Sequence, residues 1–386
     1  MNRKIQAAVV GGGLVGLASA VVLAKAGVEV LHIAPKAPPD RRTSALMLPS
    51  VDFLRDSDLI QEPAVIGHAL KQIRIIDATN RLLRAPETLF DSAEAGLEAF
   101  GWNFPNVALA ERFTAAAAGL SNLTTRETTL AVLELSDDGA VLTLADGETI
   151  TADLLVGADG KKSLVREEAD FRARENGFTQ AALVLDLDLG RPLGSCSVEF
   201  HYPNGPFTLV PAGGARANLV WIDERPVLEA ARDGSLQDLK ARLAEKSMHL
   251  FGSTNPSTRA HIFPLSTLSV DVAGKNGVVL VGEAAHAFPP IGAQGLNLGL
   301  RDVADLAAAA AEASPGGDWG GNVSELYAQR RAGDLTRTTG VVDALFKSLL
   351  TGMLPAQALR AGGLWALKLA PPLRRQAFAL GMGADR

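Results

Sequence analysis

Between Ile5 and Ile33 an apolar run, a cluster of glycines, a small-residue run and a second apolar run follow one another. Ile5-Gln6-Ala7-Ala8-Val9-Val10 has the length and composition of a buried strand. Leu17 to Ala26 reads as a small-residue helix closed by Gly27, and Val28 to Ile33 as a second strand. Gly11-Gly12-Gly13-Leu14-Val15-Gly16 falls at the first strand-to-helix turn in the pattern G-x-G-x-x-G. In a βαβ unit each of the three glycines has its own duty. Gly11 permits the tight turn, Gly13 lets a pyrophosphate approach the backbone, and Gly16 lets helix and strand pack closely. Leu14 and Val15 lie between the last two, where the helix N-terminus offers free N–H groups and a positive dipole end.

Two other readings of this run are weaker. Arg3-Lys4, the apolar residues and Ala18-Ser19-Ala20 mimic a secretory signal, and the run approaches the length of a membrane span. Four glycines within six positions would weaken either helix, and the regular strand that follows fits neither.

A length of 386 residues suggests about two or three structural units. A net charge of −6 argues against a nucleic-acid partner, which favours a basic face. The single cysteine, Cys196, excludes an intrachain disulfide and suits a reducing compartment. The histidines (His32, His68, His201, His249, His261, His286) show no metal-ligand spacing, so no metal is expected. The expectation is a cytoplasmic globular enzyme.

Further along, Pro35 to Arg41 reads as a connector, and Arg42-Thr43-Ser44-Ala45-Leu46 as the lead into a helix ending near Leu54. Leu70 to Ile76 is strand-like, Thr79-Asn80 is a turn into Leu82-Leu83, and Ala108 to Leu120 is an alanine-rich helix. Thr128 to Leu135 and Ala140 to Ala145 form a hairpin across Asp137-Asp138-Gly139, followed by a strand from Thr149 to Val156. From Phe178 to Ile222 strands alternate with turns, as in an antiparallel or mixed sheet. A helix from Leu236 to Lys246, extended chain at His261 to Leu265, a turn at Asn276-Gly277 and a buried strand at Val278 to Val281 follow. Beyond Gly295 the pattern is mostly helical. The fold class is thus α/β (α+β), a Rossmann-like unit interleaved with a mixed or antiparallel sheet and a helical C-terminal region. Residues 1–69, 98–175 and 266–386 are assigned to the first unit with its C-terminal helices, and 70–97 and 176–265 to the second.

A second segment answers the first. From Val281 to Asp302 the chain reads Val-Gly-Glu-Ala-Ala-His-Ala-Phe-Pro-Pro-Ile-Gly-Ala-Gln-Gly-Leu-Asn-Leu-Gly-Leu-Arg-Asp. A buried strand delivers an acidic side chain, Glu283, to its C-terminal end, where it can accept hydrogen bonds from sugar-alcohol hydroxyls. A Pro/Gly loop lets a flat ring lie against the backbone, and the helix N-terminus near Gly295 can stabilise negative charge on a reduced ring.

Three segments together, Gly11–Gly16, Asp153-Leu-Leu-Val-Gly-Ala-Asp159-Gly160-Lys-Lys-Ser-Leu-Val-Arg166 and Gly282–Asp302, resemble the class A flavoprotein monooxygenases, with the fold of para-hydroxybenzoate hydroxylase. Order and spacing match over essentially the whole chain. Arg42–Leu46, Gln294–Asp302 and the tail Pro371–Arg374 through Gly381–Gly383 resemble the ubiquinone-biosynthesis hydroxylase branch in particular. The resemblance implies FAD as resident cofactor, NADH or NADPH as transient electron donor, and O2. It also implies hydroxylation of an electron-rich ring through a C4a-hydroperoxyflavin, with an aromatic or prenylated phenol as substrate.

By the same resemblance, Gly11, Gly13 and Gly16 hold the FAD pyrophosphate and Arg42 lies near the ribityl and flavin region. Asn106 lies near the flavin, although proline precedes it where the family has an acidic residue. Asp159, with Gly160, organises the pyrophosphate region and the passing nicotinamide, and Glu283 takes the place of a ribityl-binding aspartate. Pro290, Gly292, Gly295, Leu296 and Asn297 line the ring. No catalytic acid, base or nucleophile is assigned; Pro290, Gly292 and Gln294 of the loop are the residues nearest the chemistry. His286 reads as a packed support, and Trp102, Trp221, Trp319 and Trp365 as core. Ala34 stands where the adenosine ribose normally meets a carboxylate, which with Glu283 implies loosely held FAD.

The tail from Phe346 to Leu369 mixes Leu349, Leu350, Met353, Leu354, Leu364 and Trp365 with Lys347, Arg360 and Lys368. That pattern suits an interfacial segment, and equally a helix packed on the FAD unit. The first would allow weak peripheral association with the inner membrane face and membership of a quinone-biosynthesis complex. Two alternatives stay open: a soluble hydroxylase of a small phenol or secondary metabolite, and a degenerate flavoprotein serving as a lipid-binding or scaffold subunit.

Overall fold

The computed structural model describes residues 3–79, 84–136, 139–290, 294–314, 316–350, 362, 363 and 365. The strand Arg3–Val10 pairs in parallel with Val30–Ile33 on one side and Thr149–Gly157 on the other. Leu123–Arg126 and Val278–Leu280 extend the sheet in parallel beyond them. Ala7, Ala8 and Val9 are completely buried, as expected of a central parallel strand covered on both faces. Register decides where the sequence motifs meet. Val10 lies opposite both Ile33 and Gly157, and Gly157 lies opposite Leu280. The turns beginning at Gly11, Ala34, Ala158 and Val281 therefore emerge together at the carboxyl end of one sheet. They flank the strand from which the chain departs to both sides, the usual place for a ligand in such sheets.

The first helix runs Leu14–Lys25, three residues earlier than the small-residue run suggests. It packs against helices Asn106–Ala118 and Gln294–Glu312, which explains why it is apolar on nearly every side. Arg42–Leu46 is not a helix lead-in. Thr43–Met47 is a strand, antiparallel to Gly101–Pro105, and the helix begins only at Leu48, with Pro49 in its first turn. Pairing with a distant strand overrides local propensity here. Likewise the run at 70–76 is two strands, since Lys71 and Gln72 both donate their N–H to the Ser195 carbonyl at the point where the chain passes between sheets. The hairpin Leu130–Ser136/Gly139–Leu144 and the helix Leu236–Lys246 form where the pattern places them.

The middle of the chain builds a second sheet from Gln72–Asp77, Thr88–Asp91 and the strands between Ala173 and Val270, closed by His286–Ala287. One face buries Leu183, Phe200, Phe207, Leu219 and Trp221 under Leu228, Ala231, Leu239 and Leu243 of two helices. The first of those helices, Arg225–Asp233, escaped the sequence reading; its signal was Pro226 at the first turn. Trp221 is core, whereas Trp365 is 47% exposed, contrary to its assignment. Gly292, the Asn80–Leu83 turn and most of the tail lie outside the described residues.

Candidate cofactor and substrate site

Gly11 has φ +136°, and a Cβ there would sit 2.0 Å from the Ala158 carbonyl oxygen. At Gly16 a Cβ would meet the Gly11 oxygen at 2.2 Å. Gly13 differs: it caps the helix at φ −76°, no side chain caps that terminus, and nothing lies within 4 Å of its missing Cβ. The helix thus presents unsatisfied N–H groups, with Leu14 and Val15 half-buried behind them, to open space over Gly13. This cradle fits a pyrophosphate. His32 supports it from the next strand. It is buried, and its Nε2 lies 2.9 Å from the Gly11 oxygen. A carbonyl only accepts, so Nε2 carries the hydrogen. Burial holds the imidazole's pKa below its ordinary value and so favours the neutral form, against the raising effect of that hydrogen bond.

Asp159 engages its carboxylate within its own turn. It accepts from Ser163 Oγ at 2.5 Å and from Val165 N at 3.1 Å, bracing the short helix Leu164–Glu168. Gly160 follows with φ +82°. Arg166 then links two motifs, donating to the Ala284 carbonyl (2.9 Å) and to the Lys161 carbonyl (2.7 Å).

Arg42 and Asn106 are brought together by a residue that sequence reasoning missed, Asp40. Arg42 grips it with Nε and Nη2 at 2.8 and 2.9 Å, and Asn106 Nδ2 donates to it at 2.8 Å. Ser44 Oγ donates to Asn106 Oδ1 at 2.7 Å. Burial works to raise the Asp40 pKa, but the hydrogen bonds from Arg42 and Asn106 outweigh it and hold the carboxyl below its ordinary range. Proline occupies position 105, yet an acidic group does stand against Asn106, delivered from the connector. Glu283, exposed on the turn Gly282–Ala284, adds favourable charge to Arg42.

Asn297 is a clamp. Its Oδ1 accepts from Met47 N and its Nδ2 donates to Ala45 O, both at 2.8 Å, so the strand Thr43–Met47 is fastened to the first turn of the last motif's helix. Beside it Gln294 and Leu296 are half-buried, and Pro290 and Gly295 are exposed. Behind the loop, Asp302 Oδ2 accepts from Gly282 N at 2.7 Å and from His286 Nε2 at 2.6 Å, while Oδ1 faces Arg331 Nε at 2.7 Å. All three of these side chains are essentially inaccessible, and His286 is a packed support.

Ala34 is half-buried, its Cβ 3.4 Å from the Cβ position of Gly12, and its N–H is held by the Arg126 carbonyl. No carboxylate is available at that position for a ribose hydroxyl. Introducing one by Ala34→Glu is expected to tighten FAD binding by about 1.5–3 kcal/mol, roughly ten- to a hundredfold. Fluorescence titration of the apoprotein measures this, and an unchanged dissociation constant would place the ribose contacts elsewhere.

The other face of the second sheet meets the three-stranded sheet. Asn103 of Gly101–Pro105 donates to Asn218 Oδ1 at 2.7 Å and to the Pro211 carbonyl at 3.0 Å, fastening that face to the three-stranded sheet that carries Thr43–Met47. On it Ile73, Ile75, Val184, Thr208, Val210 and Val220 are only half-buried, while their neighbours on the opposite face are sealed in the core. The result is a half-open face on which apolar side chains alternate with polar ones.

A glycine cradle at a sheet switch point, a clamped flavin loop and a half-open sheet face define a flavin-dependent oxidoreductase. Residues 4–332 match the family described as FAD binding domain. The chain belongs to this family and is an FAD-dependent monooxygenase. It is 31% identical to the ubiquinone hydroxylase UbiL of Rhodospirillum rubrum, over 97% of this chain and 89% of that one. It is 30% identical to the 3-demethoxyubiquinol 3-hydroxylase of Escherichia coli, over 99% of each. Among solved structures, p-nitrophenol 4-monooxygenase PnpA of Pseudomonas putida superposes with a TM-score of 0.81 at 18% identity, covering 100% of both chains, a likeness of fold alone.

Proposed function

We propose that the chain hydroxylates the ring of a phenolic, prenylated quinone precursor, with NADH or NADPH as electron donor and O2 as the source of oxygen. The observation that carries this reading is likeness over nearly the whole chain to a protein named ubiquinone hydroxylase and to a 3-demethoxyubiquinol 3-hydroxylase, and the half-open face of the second sheet offers apolar side chains for such a ring. FAD, when bound, accepts reducing equivalents from the nicotinamide and activates oxygen. The protein's part is to hold, orient and exclude water.

In this proposal Gly11, Gly13, Leu14, Val15 and Gly16 hold the pyrophosphate, and Asp159 and Gly160 shape the turn beside it. Arg42 and Glu283 flank the ribityl chain, with Asn106 holding Arg42 through Asp40. Pro290, Gly292, Gly295, Leu296 and Asn297 border the ring. Residues 1–69, 98–175 and 266–386 form the FAD unit, and 70–97 and 176–265 the substrate unit. What supports the division is that Gln72–Asp77 and Thr88–Asp91 join the sheet of the later strands.

The test is to supply FAD, NAD(P)H and either a 2-prenylphenol or a tail-less phenol, and to look for a product one oxygen heavier. The prenylated substrate should be preferred. Product from the tail-less phenol alone would favour a small-phenol hydroxylase, and flavin binding without product a scaffold. Among the described residues no helix is long and apolar enough to cross a membrane. Peripheral association through the tail belongs to the proposal. Co-flotation with anionic liposomes should be weak, and should fall with salt and on changing Lys347, Arg360 and Lys368 to glutamate. Absence of flotation by folded protein would remove this part.

A further inference from the structure

The half-open face carries a titratable pair. His201 Nε2 lies 2.5 Å from Glu199 Oε1, with side-chain exposures of 10% and 21%. Both belong to the strand Cys196–Tyr202, and alternation puts them on the same face. Val198 and Phe200 between and beside them enter the core under the two helices. In register, Glu199 sits between Ile75 and Thr208, and His201 between Asp77 and Pro206. Asp77 is engaged elsewhere: its carboxylate accepts from Thr79 N and Oγ1 and from Ala85 N. Asp186, also on this face, accepts from Asn218 Nδ2 at 2.6 Å. The Glu199–His201 pair therefore has its own partnership among the acidic groups of this face.

We propose that Glu199 and His201 are the proton-accepting pair of the substrate pocket. The carboxylate can only accept, so His201 Nε2 carries the hydrogen of their bond and Nδ1 is the ring's basic nitrogen. A histidine oriented by a carboxylate in this way is a competent base, because the carboxylate stabilises the imidazolium that forms. The step is a proton transfer alone. The phenolic O–H bond breaks, its proton moves to His201 Nδ1, and the electron pair stays on oxygen as phenolate. No oxidant enters, and the pair ends as imidazolium beside carboxylate. A phenolate ring is richer in electrons than a phenol and is the better acceptor of an electrophilic oxygen atom.

This inference rests on the reading of the substrate as a phenol, and the experiment separates the two. FAD-loaded protein is titrated with 4-nitrophenol over a range of pH, with binding followed by calorimetry and ionisation by the absorbance of the bound phenolate. The wild-type protein should lower the apparent pKa of the bound probe by about one unit or more, a tenfold gain in phenolate at a pH below that value. His201→Gln should bind the probe and lose the shift, and Glu199→Gln should keep only part of it. A bound probe with unshifted ionisation in the wild type, or the same shift in His201→Gln, overturns the proton-accepting pair and leaves the phenol reading standing. Failure of the wild type to bind any phenol overturns both. Should His201→Gln not fold, the wild-type titration and Glu199→Gln decide the matter.

Discussion

Glutamate at position 13 is expected to abolish FAD binding while leaving the fold intact. The backbone there is extended, at φ −76° and ψ 172°, which any residue adopts, and no atom lies within 4 Å of the new Cβ. The side chain thus meets no steric cost in the folded apoprotein. It does place a carboxylate in the open space over the helix N-terminus, where it would take the N–H groups meant for phosphate and repel the anion as well. A loss of at least about a hundredfold in affinity, roughly 2.7 kcal/mol, is expected. Flavin fluorescence titration reads the affinity, and circular dichroism confirms the fold. Gly11→Ala is the contrasting case: its Cβ would lie 2.0 Å from the Ala158 carbonyl at φ +136°, so that variant should lose stability as well as flavin. Near-normal FAD affinity in Gly13→Glu would mean that the pyrophosphate does not lie on this helix.

The second large effect is expected behind the flavin loop. Arg331 is fully buried and pairs with Asp302, Asp305 and Asp334 at 2.7, 2.8 and 2.7 Å, Asp334 being reached by Arg301 as well at 3.1 Å. Arg331→Met keeps much of the volume but leaves three carboxylates without that partner, and breaking a buried pair in this way costs about 3–5 kcal/mol. Urea unfolding should show the loss, and a change of less than about 1 kcal/mol would mean that the cluster contributes little. Burial works to raise the Asp302 pKa, but the charges of His286 and Arg331 and the hydrogen bonds to it win, and it lies below its ordinary value. A depressed carboxyl contributes stability above its unfolded pKa, about 3.9, and loses that contribution as the pH falls through the folded value. Without Arg331 the folded value rises, and the acid-unfolding midpoint should move to higher pH.

What the sequence disclosed is what neighbouring residues decide among themselves. The glycine spacing Gly11–Gly16 was legible because it marks a local strand-to-helix turn, with Gly16 packed on the Gly11 carbonyl and Gly13 capping the helix, although the crowding at Gly11 comes from distant Ala158. The hairpin at 130–144 and the helix Leu236–Lys246 were legible because turn residues and periodicity act over the same range. The family pattern extended this to Arg42, Asn106 and Glu283 as members of one site, without saying what joins them. Asp40, which joins Arg42 to Asn106, carries no signal in the connector where it lies. Ser44 and Thr43 looked like the approach to a helix because their strand partner, Gly101–Pro105, and the clamp on that strand, Asn297, 250 residues from Met47, both come from distant parts of the chain. Arg331 was not singled out in the sequence at all, and only the fold sets it against Asp302. Glu199 and His201 are two apart on a strand, but only the burial of Val198 and Phe200 on the other side shows which way they face. Sterics and hydrogen bonding between chain neighbours leave their mark in spacing. Charge pairing, clamping and the choice of sheet face depend on distance in space, and that was decided by tertiary structure.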